Sequence, residues 1–195
     1  MPTFDLIFDR VSFSYDKKEV LRDFSLYLQK GEILALMAPS GIGKSTILNL
    51  AAGLIKPQSG VIINNAERIS YAFQEPRLFP WMSALGNVNA VLSAKKETKP
   101  QAKEALSFVG LEGSERLHPS ELSGGMKSRV ALARAIAYDG DLYLLDEPFA
   151  ALDEELKNHL CKKLREHIKA RGASALFVTH QRADAEQFAD RIVEL

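Results

Sequence analysis

The sequence predicts an α/β fold: a core of parallel strands covered by helices, with an antiparallel β part at the N-terminus and a small helical subdomain inserted within it. Three observations carry that prediction. Glu32–Met37, Leu142–Leu145 and Ala175–Val178 are short, almost continuously apolar runs, as expected of central parallel strands covered on both faces. Helical periodicity follows two of them, over Lys44–Ala52 and Glu154–Arg171. Phe4–Val11 and Phe24–Leu28 instead alternate apolar and polar residues, the pattern of half-buried strands.

Taken in order, Phe24, Leu26 and Leu28 share one face of their strand, and Glu32–Met37 then runs through the loop Ala38–Thr46 into a helix. A further strand is expected at Ile69–Phe73. From Pro76 to Leu122 no β-branched apolar run occurs. Helical stretches over Ser83–Ala94 and Pro100–Val109, separated by the charged Lys95–Lys99, make residues 76–122 an inserted helical subdomain of a single 1–195 domain. In the last long helix Leu156, Leu160, Leu164 and Ile168 recur every fourth residue, with Asp153 placed to cap its start and Gly172 to close its end. Arg191–Leu195 reads as a last strand, and its position at the chain end leads us to expect a minimal unit without a C-terminal regulatory domain.

The composition narrows the function. The 195 residues include 25 Lys plus Arg against 25 Asp plus Glu, so no global field steers the chain toward nucleic acid or anionic lipid. With 46% hydrophobic residues the chain can bury a real core. One cysteine, Cys161, can form no internal disulfide, and the longest apolar run, Ile33–Ala38, falls far short of the ~20 residues that cross a bilayer. Asp5 and Asp9 stand where a secretory signal needs an apolar core. The expectation is a soluble, intracellular chain.

The loop reads A-P-S-G-I-G-K-S-T, Ala38, Pro39, Ser40, Gly41, Ile42, Gly43, Lys44, Ser45 and Thr46, between a strand and a helix. Such a loop turns successive N–H groups toward one point at a helix N-terminus, which suits a triphosphate. Lys44 would reach the β- and γ-phosphates and the Ser45 hydroxyl would ligate Mg²⁺. Ala38 occupies the place of the first glycine in G-x-x-x-x-G-K-S/T; a positive φ there would strain it by about 1 kcal/mol, and we expect a Cβ to be tolerated. Downstream, D-L-Y-L-L-D-E ends an apolar strand in two carboxylates. At the C-terminal edge of a parallel sheet Asp146 is placed to hold Mg²⁺ through water, and Glu147 to polarise the water that attacks the γ-phosphate.

Leu122–Met126 reads L-S-G-G-M, followed by K-S-R-V-A-L-A-R-A. Alone, S-G-G before a helix is a capped turn. Together with the loop and the paired carboxylates it resembles the signature of ATP-binding subunits of ABC transporters. That resemblance, which covers about Val11–Leu195, implies a head-to-tail pair of subunits in which Ser123, Gly124 and Gly125 of one copy close on the ATP held by the other. It further implies that Tyr15 stacks on adenine, that Gln74 senses Mg²⁺ and the attacking water, and that Leu152 and Asp153 touch the opposite subunit. His180 corresponds to the switch histidine facing the γ-phosphate. A core aromatic remains the other reading of Tyr15, and polar punctuation the other reading of His180.

Glu75–Trp81, E-P-R-L-F-P-W, carries Leu78, Phe79 and Trp81 in one proline-containing loop, which reads as a protein-binding surface or as a loop folded onto the helical subdomain. By the resemblance it docks membrane-spanning permease subunits, and its wording is similar to importers of the nitrate, sulfonate and taurine group. His159, Cys161 and His167 lack metal-ligand spacing on a helix, and His118 reads as loop. The function expected is therefore an Mg²⁺-dependent ATPase subunit of an importer, acting as a homodimer at the cytoplasmic face of the membrane and served indirectly by a solute-binding protein. A soluble ABC ATPase acting on DNA or ribosomes is the alternative. A P-loop kinase or GTPase leaves L-S-G-G-M without a task, and no N-K-x-D motif occurs.

Overall fold

β1 (Phe4–Tyr15) and β2 (Lys18–Gln29) form a long antiparallel hairpin in the computed structural model, which describes residues 3–16, 18–39, 42–92 and 98–195. Both strands exceed the stretches that alternate, and the reason is local. Bulges shift the register between Phe8 and Val11 and again before Phe13, with Arg10 and Asp23 at φ of 48° and 45°. Each bulge breaks the period of two on which the sequence reading relied. Hydroxyls replace the lost ladder bonds: Arg10 N–H donates to Ser25 Oγ at 2.9 Å and Asp23 N–H to Ser12 Oγ at 3.0 Å. Leu26 and Leu28 are buried as expected, and Phe24 meets Phe8 edge-on.

β3 (Ile33–Met37) leads to α1 (Lys44–Ala51). β4 (Ser59–Asn64) pairs with β1 and completes a three-stranded sheet in the order β2-β1-β4. The sequence reading does not mark it, because this strand is largely exposed and presents no alternating buried face. β5 (Ile69–Ala72) precedes the helical stretch: α2 (Ala84–Asn89), α3 (Lys99–Phe108) and a 3₁₀ turn at Pro119–Glu121. α2 is shorter than the Ser83–Ala94 expected. Ser83 is its cap, accepting from Gly86 N–H, and the chain passes into turns after Ala90. Ala94 and most of Lys95–Lys99 lie outside the described residues. α4 (Gly124–Tyr138), β6 (Leu142–Asp146), α5 (Glu154–Ala170), β7 (Ser174–Thr179), α6 (Arg182–Phe188) and β8 (Arg191–Glu194) complete the fold.

Five strands pair in parallel in the order β5-β6-β7-β3-β8. Leu34, Leu36, Leu142, Leu144, Leu176 and Val178 face α1 and the antiparallel sheet, while Ile33, Ala35, Tyr143, Leu145, Ala175 and Phe177 face the other helices. Both sets are completely buried, which explains the continuous apolar runs. Leu160, Leu164 and Ile168 of α5 enter the second cluster with Leu156 packed at its edge, and Gly172, at φ 64°, ends the helical segment as the sequence suggests.

β4 crosses close beneath the β1 bulge. A Cβ on Gly60, at φ 80°, would collide with the Arg10 main-chain carbonyl. Gly60→Ala should destabilise the chain by about 2–4 kcal/mol through the left-handed angle and the collision together. A lowered denaturant midpoint at unchanged m-value is the expected result, and an unchanged midpoint would contradict this account.

Candidate active site

β3 delivers its loop to the C-terminal edge of the parallel sheet. Ala38 is buried and is not among the residues with positive φ, so the missing first glycine strains nothing. Gly43, at φ 98°, does need its freedom: a Cβ there would collide with the Val20 side chain of β2. Ser40 and Gly41 lie outside the described residues. The Lys44 ammonium turns back over the loop and donates to Ala38 O at 2.8 Å and Pro39 O at 3.3 Å. No acidic residue sits in the first turn of α1, leaving its positive end open to an anion.

β6 ends opposite that loop. Asp146 is 4% exposed, and burial raises its carboxyl above the usual range while the Ser45 hydroxyl counteracts. Glu147 adopts φ 49°, a left-handed angle uncommon for a residue with a Cβ. Its N–H donates to Val178 O of β7, and its carboxylate lies 3.7 Å from Lys44 Nζ and 3.2 Å from His180 Nδ1. Around Lys44, Asp146 and Glu147 is a cavity of about 280 Å³ lined by Tyr15, Lys18, Val20, Gly43, Lys44, Ser45, Thr46, Gln74, Asp146 and Glu147, while His180 lines a neighbouring cavity with Ala38 and Pro39. Tyr15 is half exposed at that cavity with its ring edge-on to Phe13, so it is not a core aromatic. The oxygens of Ser45, Gln74 and Asp146 form a hard donor set that fits Mg²⁺, an ion that keeps waters and phosphate oxygens as further ligands.

Other candidates stand apart from the cavity. Ser123 caps α4, accepting from Met126 N–H at 3.2 Å, and Gly124 faces open space. A Cβ on Gly125 would stand 2.7 Å from Ala151 O, so the first turn of α4 lies directly against the chain that follows Glu147. Asp153 caps α5, accepting from Leu156 N–H at 3.0 Å. None of Ser123, Gly124, Gly125 or Asp153 lines the cavity of its own chain. In the proline-containing loop Leu78 packs partly into the core, whereas Phe79 and the 70%-exposed Trp81 sit 5.5 Å apart outside it.

A family model described as ABC transporter matches residues 21–150, a span that contains the loop, Gln74, the signature turn and both carboxylates. The chain belongs to the ABC transporter family. An aliphatic sulfonates import ATP-binding protein of Bacillus cereus is 42% identical over 183 residues, 90% of this chain and 73% of that one. A sulfate/thiosulfate import ATP-binding protein of Agrobacterium fabrum is 37% identical over 94% of this chain and 58% of its own length. Among solved structures, a dimeric ATP-binding cassette in a post-hydrolysis state with ADP and Pi matches with a TM-score of 0.89 and 29% identity, over 97% of this chain and 94% of that one.

Two wall residues of this ABC chain escape sequence reasoning. Lys18 and Val20 reach the cavity because the hairpin folds back after Asp16, and only the sheet's placement over the loop reveals it. The remaining histidines lie elsewhere: His159 is exposed, His167 bonds the Tyr143 hydroxyl at 3.3 Å, and His118 opens the 3₁₀ turn. Among the described residues no group of three His, Cys, Asp or Glu could hold a metal. Cys161 is buried, which pushes its thiol up to about 12.

Since thiolates are the reactive form, Cys161 should resist a thiol reagent at about pH 8 in the folded chain and react fully after denaturation. Rapid labelling of the native chain would contradict its burial. Ala38→Gly should leave nucleotide affinity within about tenfold, or ~1.4 kcal/mol, because the native residue is unstrained. A titration showing a much larger gain would mean that Ala38 impairs the loop.

Proposed function

We propose that the chain is the ATP-binding and ATP-hydrolysing subunit that energises an ABC importer, with ATP held between two copies. The observation that carries this reading is the convergence of Lys44, Ser45, Gln74, Asp146 and Glu147 on one cavity, with Tyr15 at the same wall. Tyr15 would take the adenine, the amides of residues 38–43 the phosphates, and Lys44 and Thr46 the charge and contacts at the loop's end. Ser45, Gln74 and Asp146 would hold Mg²⁺, which when bound neutralises charge developing on the phosphate oxygens. Glu147 is the group that polarises the attacking water. His180 positions the Glu147 carboxylate through their 3.2 Å contact and turns toward the γ-phosphate.

The signature turn and Asp153 gain a task only in a pair, where Ser123, Gly124, Gly125 and Asp153 of one copy complete the site of the other. Closure of that pair would pull on permease subunits docked at Glu75–Trp81, with residues 76–122 acting as a helical subdomain between the two events. The described helices include none long and apolar enough to cross a membrane. We place the chain at the cytoplasmic face, held by the permease, with a solute-binding protein as an indirect partner. The names of the relatives make an organic sulfonate or another sulfur oxyanion the solute to test first, and they favour an importer over an ABC ATPase acting on nucleic acid.

Glu147→Gln removes the base while keeping the shape. Turnover should fall by about 10²–10⁴ while ATP still binds, and ATP should now hold the chain as a dimer in size-exclusion chromatography. Normal hydrolysis by this variant would overturn the assignment.

A further inference from the structure

Phe79 and Trp81, which do not line the nucleotide cavity, sit in a loop with very little regular structure, so something must fix its shape. Two polar side chains do so. Asn87 of α2, completely buried, accepts from Phe79 N–H at 2.7 Å and donates to the carbonyls of Phe79, Met82 and Ser83, each at 3.1 Å. Arg134 of α4 reaches the other end. Its guanidinium donates to Pro76 O at 2.9 Å and Arg77 O at 3.0 Å, two and three residues beyond Gln74.

Arg134 has no carboxylate partner among the described residues. A guanidinium in that position forgoes the usual charge pairing and spends its fixed fork on main chain, where geometry rather than charge is what it supplies. The segment it grips is itself unusual: Arg77 is at φ 45°, with its side chain over the Phe73 ring at 4.1 Å. Arg134 also lines a cavity of about 410 Å³ whose walls include Phe73, Arg77, Phe79 and Tyr138. One helix thus carries the signature turn at its N-terminus and, about 16 Å along its axis at 1.5 Å per residue, the clamp on the loop after Gln74. The same helix grips α3 through Arg129, which donates to Gly110 O at 2.9 Å and Val109 O at 3.2 Å.

We propose that Arg134 is a positioning residue that makes α4 and the Gln74–Trp81 loop move as one body, so that nucleotide events at Gln74 and Ser123 reach the exposed Phe79–Trp81 pair. The proposal rests on the function proposed above. Trp81 is the sole tryptophan of the sequence and reports on this loop directly. The experiment titrates the full chain with Mg·ATP, following Trp81 emission and, separately, ATP binding by calorimetry.

In the native chain binding should change the emission. Arg134→Met should keep ATP affinity within about threefold and its thermal transition cooperative, yet lose most of the emission change. Arg134→Lys, which keeps the charge but can bridge only one carbonyl, should retain an intermediate response. If Arg134→Met fails to fold, the lysine variant decides alone. A full response in the lysine variant, or a native chain that binds ATP without any change at Trp81, overturns the proposal. A native chain that binds no ATP overturns the functional reading instead.

Discussion

β3, β7 and β6 share one register: Leu36 pairs with Val178, and Val178 with Asp146, so a single row crosses three parallel strands. Parallel strands all end at the same edge, and just past this row the chain leaves the sheet three times. It leaves after Met37, after Asp146 and after Thr179, with Glu147 and His180 the first residues beyond two of these ends. Lys44, Glu147 and His180 meet because of that coincidence of endings. The left-handed turn at Glu147 is held by its N–H on Val178 O, so the same row that aligns the strands also aims the carboxylate at Lys44 and His180.

The electrostatics are local for the same reason. A chain with balanced charge has no long-range pull on an anion, and its positive features at the cavity are local: the Lys44 ammonium and the start of α1, whose first turn holds no acidic residue. Asp146, nearly buried and pushed toward its neutral form, is the opposite kind of group: its charge is costly in the chain by itself and is best stabilised by a cation.

Much of this was legible in the residue order. Continuous apolar runs identify strands buried on two faces, and G-K-S-T and D-E fall at the ends of elements those runs predict, while L-S-G-G-M opens α4. What was not legible depends on chain that is distant in sequence. β4 is an exposed edge strand whose partner, β1, lies far upstream, so no period marks it. α6 is a short helix whose Asp184 is buried because Lys157 of α5 reaches it at 3.1 Å, a pairing no local pattern announces. The bulges at Arg10 and Asp23 erase the alternation that would have traced β1 and β2 to their ends. Lys18, Val20 and Arg134 are ordinary residues until the fold sets them against the phosphate loop or the loop after Gln74.

The contact between Gly43 and Val20 has a consequence for where this site begins and ends. The phosphate motif is contiguous in sequence, but its last glycine is walled by a strand that belongs to the other sheet. A fragment starting at Gly31 would contain every residue of the motif and yet have no surface against which that turn is shaped, nor any Tyr15 beside it. The hairpin is therefore a moulding piece for the loop, and the smallest unit that carries the chemistry is both sheets together.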